Sequence, residues 1–203
     1  MIAVVDYGIG NLRSAQKALI HLGADAVLTS DPDTVRSAGA VVLPGVGAFG
    51  ACMRALRDAG LEEPVVEAAG DGRPFLGVCV GMQMLFDESE ESPDVAGLGI
   101  VPGAVRRIET ALPLPHMGWN TLDIRKDDGL LAGFDEPPWL YFVHTFAAVP
   151  EDDGVVAATT DYDGPVVAVV EQANVWATQF HPEKSSDTGL AVLRNFVAAV
   201  GAS

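Results

Sequence analysis

Cys79 stands in the run Gly77-Val78-Cys79-Val80-Gly81, after an apolar stretch and before a helical pattern. A buried structural cysteine needs no glycine on either side. A nucleophile elbow does, because a strand turns abruptly into a helix and a side chain at either flank would crowd the neighbouring backbone. The thiol is then exposed at the carboxyl end of the strand, under the amides of the new helix. Those amides and the helix dipole favour thiolate over thiol. Taken alone, the segment also admits a cysteine buried as a small hydrophobe.

A thiol nucleophile needs a base, usually a histidine distant in sequence. Of the four histidines, His21 falls on the polar side of the first helical pattern. His116 and His144 sit in strand-like segments, as core or cleft residues. His181 ends the strand-like NVWATQF and opens HPEKSS. Pro182 cannot donate to a sheet ladder, so the strand stops there and its end becomes loop. Carboxyl ends of parallel strands are where sites form. Glu183 follows two residues later, on the same side of an extended segment, where its carboxylate can orient the imidazole. Cys79, His181 and Glu183 are therefore expected to form a relay for thiol acyl transfer. The oxyanion needs donors as well. The loop PGVGAFG (44–50) offers Gly45, Val46 and Gly47, and Val80 offers the amide that follows the nucleophile. Losing one such donor typically costs about 10²–10³ in rate.

The elements that must hold these residues are legible as patterns. IAVVD (2–6), AVLTS (26–30), AVVLP (40–44) and PFLGV (74–78) read as strands. Helical stretches are expected at about 12–22, 49–59 and 61–69, the first with Asn11 as N-cap and Leu12, Ala15, Ala18, Leu19 and Leu22 on one face. That alternation points to a parallel sheet covered on both faces. The second half reads as strands: GIVPGAVRRI, HMGWNTLDI, WLYFVHTFAAV, GVVAATT, PVVAVVEQ and NVWATQF, followed by a helix over about 187–200. DESEESPD (87–94) reads as a solvated loop. The expectation is a single α/β domain with an antiparallel or mixed portion contributed by the second half. YGIGNLR places Gly8 and Gly10 like the start of a dinucleotide fingerprint, with Asp31 at a tolerable distance. Arg13 occupies the position that needs a small residue, so a tight turn into a helix is preferred.

The 203 residues carry 12 Lys and Arg against 28 Asp and Glu, a net charge of −16. That balance argues against a nucleic-acid or anionic-membrane surface and fits solubility in a saline cytoplasm. No apolar run reaches the roughly 18 residues of a membrane span. MIAVVDYG lacks a basic leader and reads as a strand. Two cysteines make no disulfide framework, so a reducing cytoplasm is expected. The only lysines are Lys17, Lys126 and Lys184.

GVCVGMQ together with QFHPEKS resembles the class I, triad-type glutamine amidotransferases, and the resemblance covers the whole chain. VVDYGIGNL, LPGVGAFG, HMGWN and YFVH single out the branch of glutaminase subunits that serve histidine biosynthesis. The resemblance implies a flavodoxin-like three-layer α/β fold with a central, mostly parallel sheet. It implies Cys79 as nucleophile, His181 as base and then acid, and Glu183 as its orienting partner. Gln83 and backbone groups of His144, Thr145 and Phe146 would hold the substrate, L-glutamine. Family members often read H-S-Y where this chain has His144-Thr145-Phe146, so this chain has no tyrosine hydroxyl at that position. No metal or other cofactor is called for. The implied partner is a (β/α)₈-barrel cyclase subunit that uses the ammonia, in a heterodimer. The sequence also admits two competing readings: a self-contained Cys-His hydrolase on the same fold, and a non-catalytic dinucleotide-binding module.

Overall fold

A computed structural model describes residues 1–201. The first part alternates as expected: β1 (Ile2–Val5), α1 (Leu12–His21), β2 (Ala26–Thr29), α2 (Pro32–Ser37), β3 (Ala40–Gly45), α3 (Phe49–Asp58), α4 (Glu62–Gly70), β4 (Phe75–Cys79) and α5 (Val80–Gln83). The second part supplies β5 (Glu88–Ser89), β6 (Gly103–Arg107), β7 (His116–Thr121), β8 (Asp123–Ile124), β9 (Trp139–His144), β10 (Phe146–Pro150), β11 (Val156–Asp161), β12 (Pro165–Gln172) and β13 (Val175–Thr178), then α6 (Ser186–Gly201). Every residue of β1, β3 and β4 is buried. Continuous apolar runs of this kind belong to strands covered on both faces.

The main sheet has the order β2-β1-β3-β4-β13-β12-β11-β8. Its members from β2 to β13 run parallel, and β12, β11 and β8 continue it antiparallel. Two small sheets, β10-β6-β5 and β7-β9, stand apart from it. This order places the site. Gly45 at the end of β3 pairs with Cys79 at the end of β4, and Thr178 of β13 pairs with Val78 on the other side. The glycine loop after β3 and the His181 segment after β13 therefore flank the Cys79 elbow.

The structure differs from the sequence reading in several places; HMGWNTLDI, for one, is two strands, β7 and β8, in different sheets. Helix α2 was not expected; Asp31, noted above at a tolerable distance from the partial dinucleotide fingerprint, caps it by accepting from the Thr34 N–H at 3.1 Å. Asn11 precedes α1 but makes no side-chain capping bond. WLYFVHTFAAV is not one strand: it breaks at Thr145, with β9 pairing to β7 and β10 to β6. The acidic stretch 87–94 is more than a solvated loop. Ala48 has no side chain with which to cap α3. Instead the Phe49 N–H donates to Glu91 Oε2 at 2.7 Å and the Gly50 N–H to Ser92 Oγ at 3.2 Å. A carboxylate at a helix amino end is favoured by the dipole. At Gly8 the N–H donates to Asp6 Oδ1 at 3.0 Å, a tight turn in place of a phosphate cradle.

The elbow depends on backbones that approach without side chains. A Cβ on Gly81 would overlap the Leu43 carbonyl oxygen, and one on Gly45 would lie 2.7 Å from the Gly81 nitrogen. Gly60, by contrast, has a φ of +68° and nothing within 4 Å of an added Cβ. Gly60→Ala should therefore cost only the left-handed backbone penalty, about 1–2 kcal/mol. Gly81→Ala should cost at least about 3 kcal/mol through overpacking against rigid backbone. Urea unfolding of both variants checks this; equal midpoints would contradict the close approach.

Candidate active site

Cys79 has φ 56° and ψ −113°, in a region that non-glycine residues rarely occupy. Such a conformation costs on the order of 1–3 kcal/mol and persists only where the surroundings over-determine it. Here β3 and β13 hold β4 on either side, and α5 begins at the next residue. The cysteine is 4% exposed.

His181 is fixed by its own backbone. Its N–H donates to the Tyr141 carbonyl at 3.1 Å, and its carbonyl accepts from Ser185 Oγ at 2.6 Å. Pro182–Lys184 then forms a 3₁₀ turn, not the extended segment expected from sequence. The turn still brings the pair together, with His181 Nδ1 donating to Glu183 Oε1 at 2.9 Å. Their side chains are 2% and 4% exposed. Among the described residues Glu183 Oε2 has no hydrogen-bond partner, so His181 is what holds this buried carboxylate. Burial alone would lower the His181 pKa. Hydrogen bonds with Cys79 and Glu183, and the charges of both, outweigh burial and push it up to about 9. An imidazolium between a sulfur and a carboxylate is the favoured state.

A cavity of about 380 Å³ opens above these groups. Cys79, Val80 and His181 line it, with Val46 and Gly47 from the glycine loop and Gln83, His144, Thr145 and Phe146 on the far side. Gly45 does not line it; the residue ends β3 and packs under Gly81. The loop is held from behind, where Cys52 Sγ donates to the Val46 carbonyl at 3.2 Å. Gln83 Nε2 donates to the Phe146 carbonyl at 3.0 Å, and His144 Nδ1 donates to the same oxygen at 2.9 Å. Burial above all, with the charges of His116 and His181, lowers the His144 pKa to about 4. His21 is exposed and His116 buried, both away from the sulfur.

Sequence reasoning passed over Glu91, Pro115 and Val143, which also line the cavity. They come from segments whose composition gives no chemical signal, and only the fold brings them to the rim. Gln179, fully buried beside Cys79, was likewise passed over as part of a strand. A larger hollow of about 580 Å³ lies over β6, β10 and β12, and neither cysteine nor histidine lines it. Cys79, the His181 imidazole and the glycine-loop residues Val46 and Gly47 all line the smaller cavity, the residue types on which thiol acyl transfer draws.

The profile of the family "Glutamine amidotransferase class-I" matches residues 3–200, and the chain belongs to that family. It is a glutamine amidotransferase. Over its whole length it is similar to proteins named imidazole glycerol phosphate synthase subunit HisH. The relative from Methanothermobacter thermautotrophicus is 52% identical over 100% of both chains. That from Synechococcus elongatus is 50% identical, over 100% of this chain and 94% of the relative. The fold is also that of a crystal structure described as a glutamine amidotransferase, with a TM-score of 0.78 at 24% identity, covering 99% of this chain and 100% of the other.

The raised His181 pKa fixes the sign of two pH effects. A group protonated up to about 9 can donate to a leaving amine through the neutral range, so kcat/KM should hold there and fall as pH rises through about 9. Because the folded value exceeds the ordinary 6.5, the pair stabilises the fold fully below pH 6.5 and loses that contribution as pH rises through about 9. Thermal unfolding across this window should show the loss in the native chain and not in His181→Gln. An identical slope in both would assign the effect elsewhere.

Proposed function

We propose that this chain is the glutaminase subunit of an imidazole glycerol phosphate synthase, acting as one domain and passing ammonia to a (β/α)₈-barrel cyclase subunit. The observation that carries the reading is a cysteine on a strained elbow, facing one cavity with a buried His181–Glu183 pair. The full-length likeness to HisH subunits selects the synthase among the family's possible acceptor systems.

Cys79 thiolate attacks the side-chain amide carbon of glutamine. The oxyanion forms against the Val80 N–H and the glycine loop, where Val46 and Gly47 face the cavity. His181 gives its proton to the departing ammonia, leaving a γ-glutamyl thioester on Cys79. The same imidazole then takes a proton from water as it attacks the thioester, releasing glutamate and restoring the sulfur. Glu183 keeps the ring oriented and stabilises its charge throughout. Gln83, His144, Thr145 and Phe146 form the wall that receives the amino-acid end of the substrate.

The partner reading has a physical footing in the β7–β9 sheet. Its register alternates sides. The pairs His116–His144, Gly118–Phe142 and Asn120–Leu140 turn inward. Met117–Val143, Trp119–Tyr141 and Thr121–Trp139 turn outward. Met117, Trp119 and Trp139 are 62%, 50% and 58% exposed. An apolar stripe of this kind marks a docking surface. It runs to the cavity rim, which Val143 and the exposed Lys184 both reach. Among the described residues no helix is long and apolar enough to cross a membrane. Two free cysteines fit a reducing cytoplasm as the compartment.

Cys79→Ser should abolish glutamine-dependent synthesis by the reconstituted pair and leave synthesis from ammonium salts intact. Loss of both would make the cysteine structural. Glutamate release by the native chain should be slow alone and rise about a hundredfold with the cyclase and its nucleotide ligand, a coupling of roughly 3 kcal/mol. Equal rates in isolation and in the complex would favour a free-standing hydrolase.

A further inference from the structure

The structure assigns Gln179 as a further group acting on the reacting sulfur: a buried hydrogen-bond relay that begins on strand β7 aims its side-chain N–H at Cys79. The inference deepens the reading of Cys79 as nucleophile and rests on it. Gln179 follows β13, is fully buried, and is pinned by its backbone N–H on the Ala168 carbonyl at 2.8 Å. Its Oε1 accepts from Gln83 Nε2 at 3.0 Å, and its Nε2 lies 3.8 Å from Cys79 Sγ, within donating reach of a sulfur atom.

The direction of every bond in this relay follows from groups that have no choice. The Phe146 carbonyl can only accept, so the atoms facing it are Gln83 Nε2–H and His144 Nδ1–H. The second hydrogen of the Gln83 amide points at Gln179, which must present oxygen there and nitrogen to Cys79. At the far end, Asn120 Oδ1 accepts from the Thr121 N–H at 2.8 Å and Asn120 Nδ2 donates to the Asp161 carbonyl at 2.8 Å. The same Nδ2 faces His116 Nε2 at 3.3 Å, so that nitrogen accepts and His116 Nδ1 carries the hydrogen. His116 Nδ1 lies 3.0 Å from His144 Nε2, the nitrogen that the Phe146 contact has already left as an acceptor. Deduced separately from the two ends, the directions agree at the middle.

Both histidines are therefore neutral. A proton added to either would set two N–H groups against each other, and burial lowers the pKa of each. The consequence is a fixed N–H dipole toward sulfur, which favours the thiolate over the thiol. The titratable groups around the sulfur are His181 with its partner Glu183, Tyr7 and Cys52, with Glu91, His144 and Lys184 on the cavity wall. None of these changes when Gln179 is replaced.

The test is alkylation of Cys79 by iodoacetamide in the full chain, followed by peptide mass across a range of pH, together with glutaminase kinetics in the complex. Gln179→Met keeps the volume and removes the donor to sulfur together with the acceptor for Gln83, whereas Gln179→Glu keeps that acceptor. The Met variant should slow alkylation at neutral pH about tenfold, leave the high-pH plateau unchanged, and lower kcat with KM within twofold. Gln179→Glu, the same size as the native residue, turns a donor into an acceptor and should slow it further; it also stands in should the Met variant fail to fold. A native pH profile in the folded variants, beside an inactive Cys79→Ser, overturns this inference and leaves the nucleophile reading intact. A Cys79→Ser protein that still makes product from glutamine overturns the nucleophile reading itself. Nitrogen-15 spectra of the native chain test the relay without any substitution. His116 and His144 should both appear as neutral Nδ1–H tautomers at pH 7, and an Nε2–H tautomer at either would contradict it.

Discussion

The backbone of Cys79 is where the structure is most constrained. A φ of 56° puts the cysteine Cβ where the preceding carbonyl crowds it, and an isolated strand end would relax out of it. Two neighbours prevent that. Strand β3 lies on one side, near enough that Gly45 and Gly81 admit no Cβ, and β13 lies on the other. The interior strands are buried along their whole length, so the energy that holds the elbow comes from the sheet core and not from the site. Function here is a local strain supported by a large apolar interior.

The same sheet order decides who can meet the sulfur. Because β3 and β13 both border β4, their carboxyl-end loops converge on its elbow, one bringing backbone amides and the other His181. A chain with a net charge of −16 would be a poor host for a thiolate if its field were uniform. The site answers locally. Glu183, one of many carboxylates, is buried against His181 and keeps a positive ring beside the sulfur. Neutral histidines and two glutamine amides complete the shell without adding charge. The relay from Asn120 to Gln179 has one direction throughout, which is what makes it able to favour one protonation state.

Much of this was legible in the sequence because it rests on short-range chemistry. Glycines flanking Cys79, a proline after His181 and apolar runs broken by helical spacing each have a local physical cause. The illegible parts depend on contacts between distant segments. Nothing local marks Thr145 as the point where one strand leaves for a second sheet, because the residues on both sides have the same apolar character. The acidic stretch at 87–94 looked solvated because its purpose, capping α3, lies more than forty positions away in sequence. The meeting of His181 with Glu183 was foreseen for a mistaken reason: the segment is a 3₁₀ turn and not a strand, yet both geometries bring these side chains together. Gln179 lies within QFHPEKS, yet nothing local marks its side chain as facing the sulfur, since a glutamine at a strand end is ordinary until its neighbours are known.

The central claim is that Cys79, and no other group, carries the substrate's acyl part during turnover. Acid quenching of the complex during glutamine turnover, with Glu183→Gln used to slow hydrolysis of the intermediate, would trap that species for peptide mass analysis. The account requires a γ-glutamyl adduct on the peptide containing Cys79, which disappears as glutamine is exhausted. Continued turnover with no adduct, or with the adduct on the peptide containing Cys52, would contradict it.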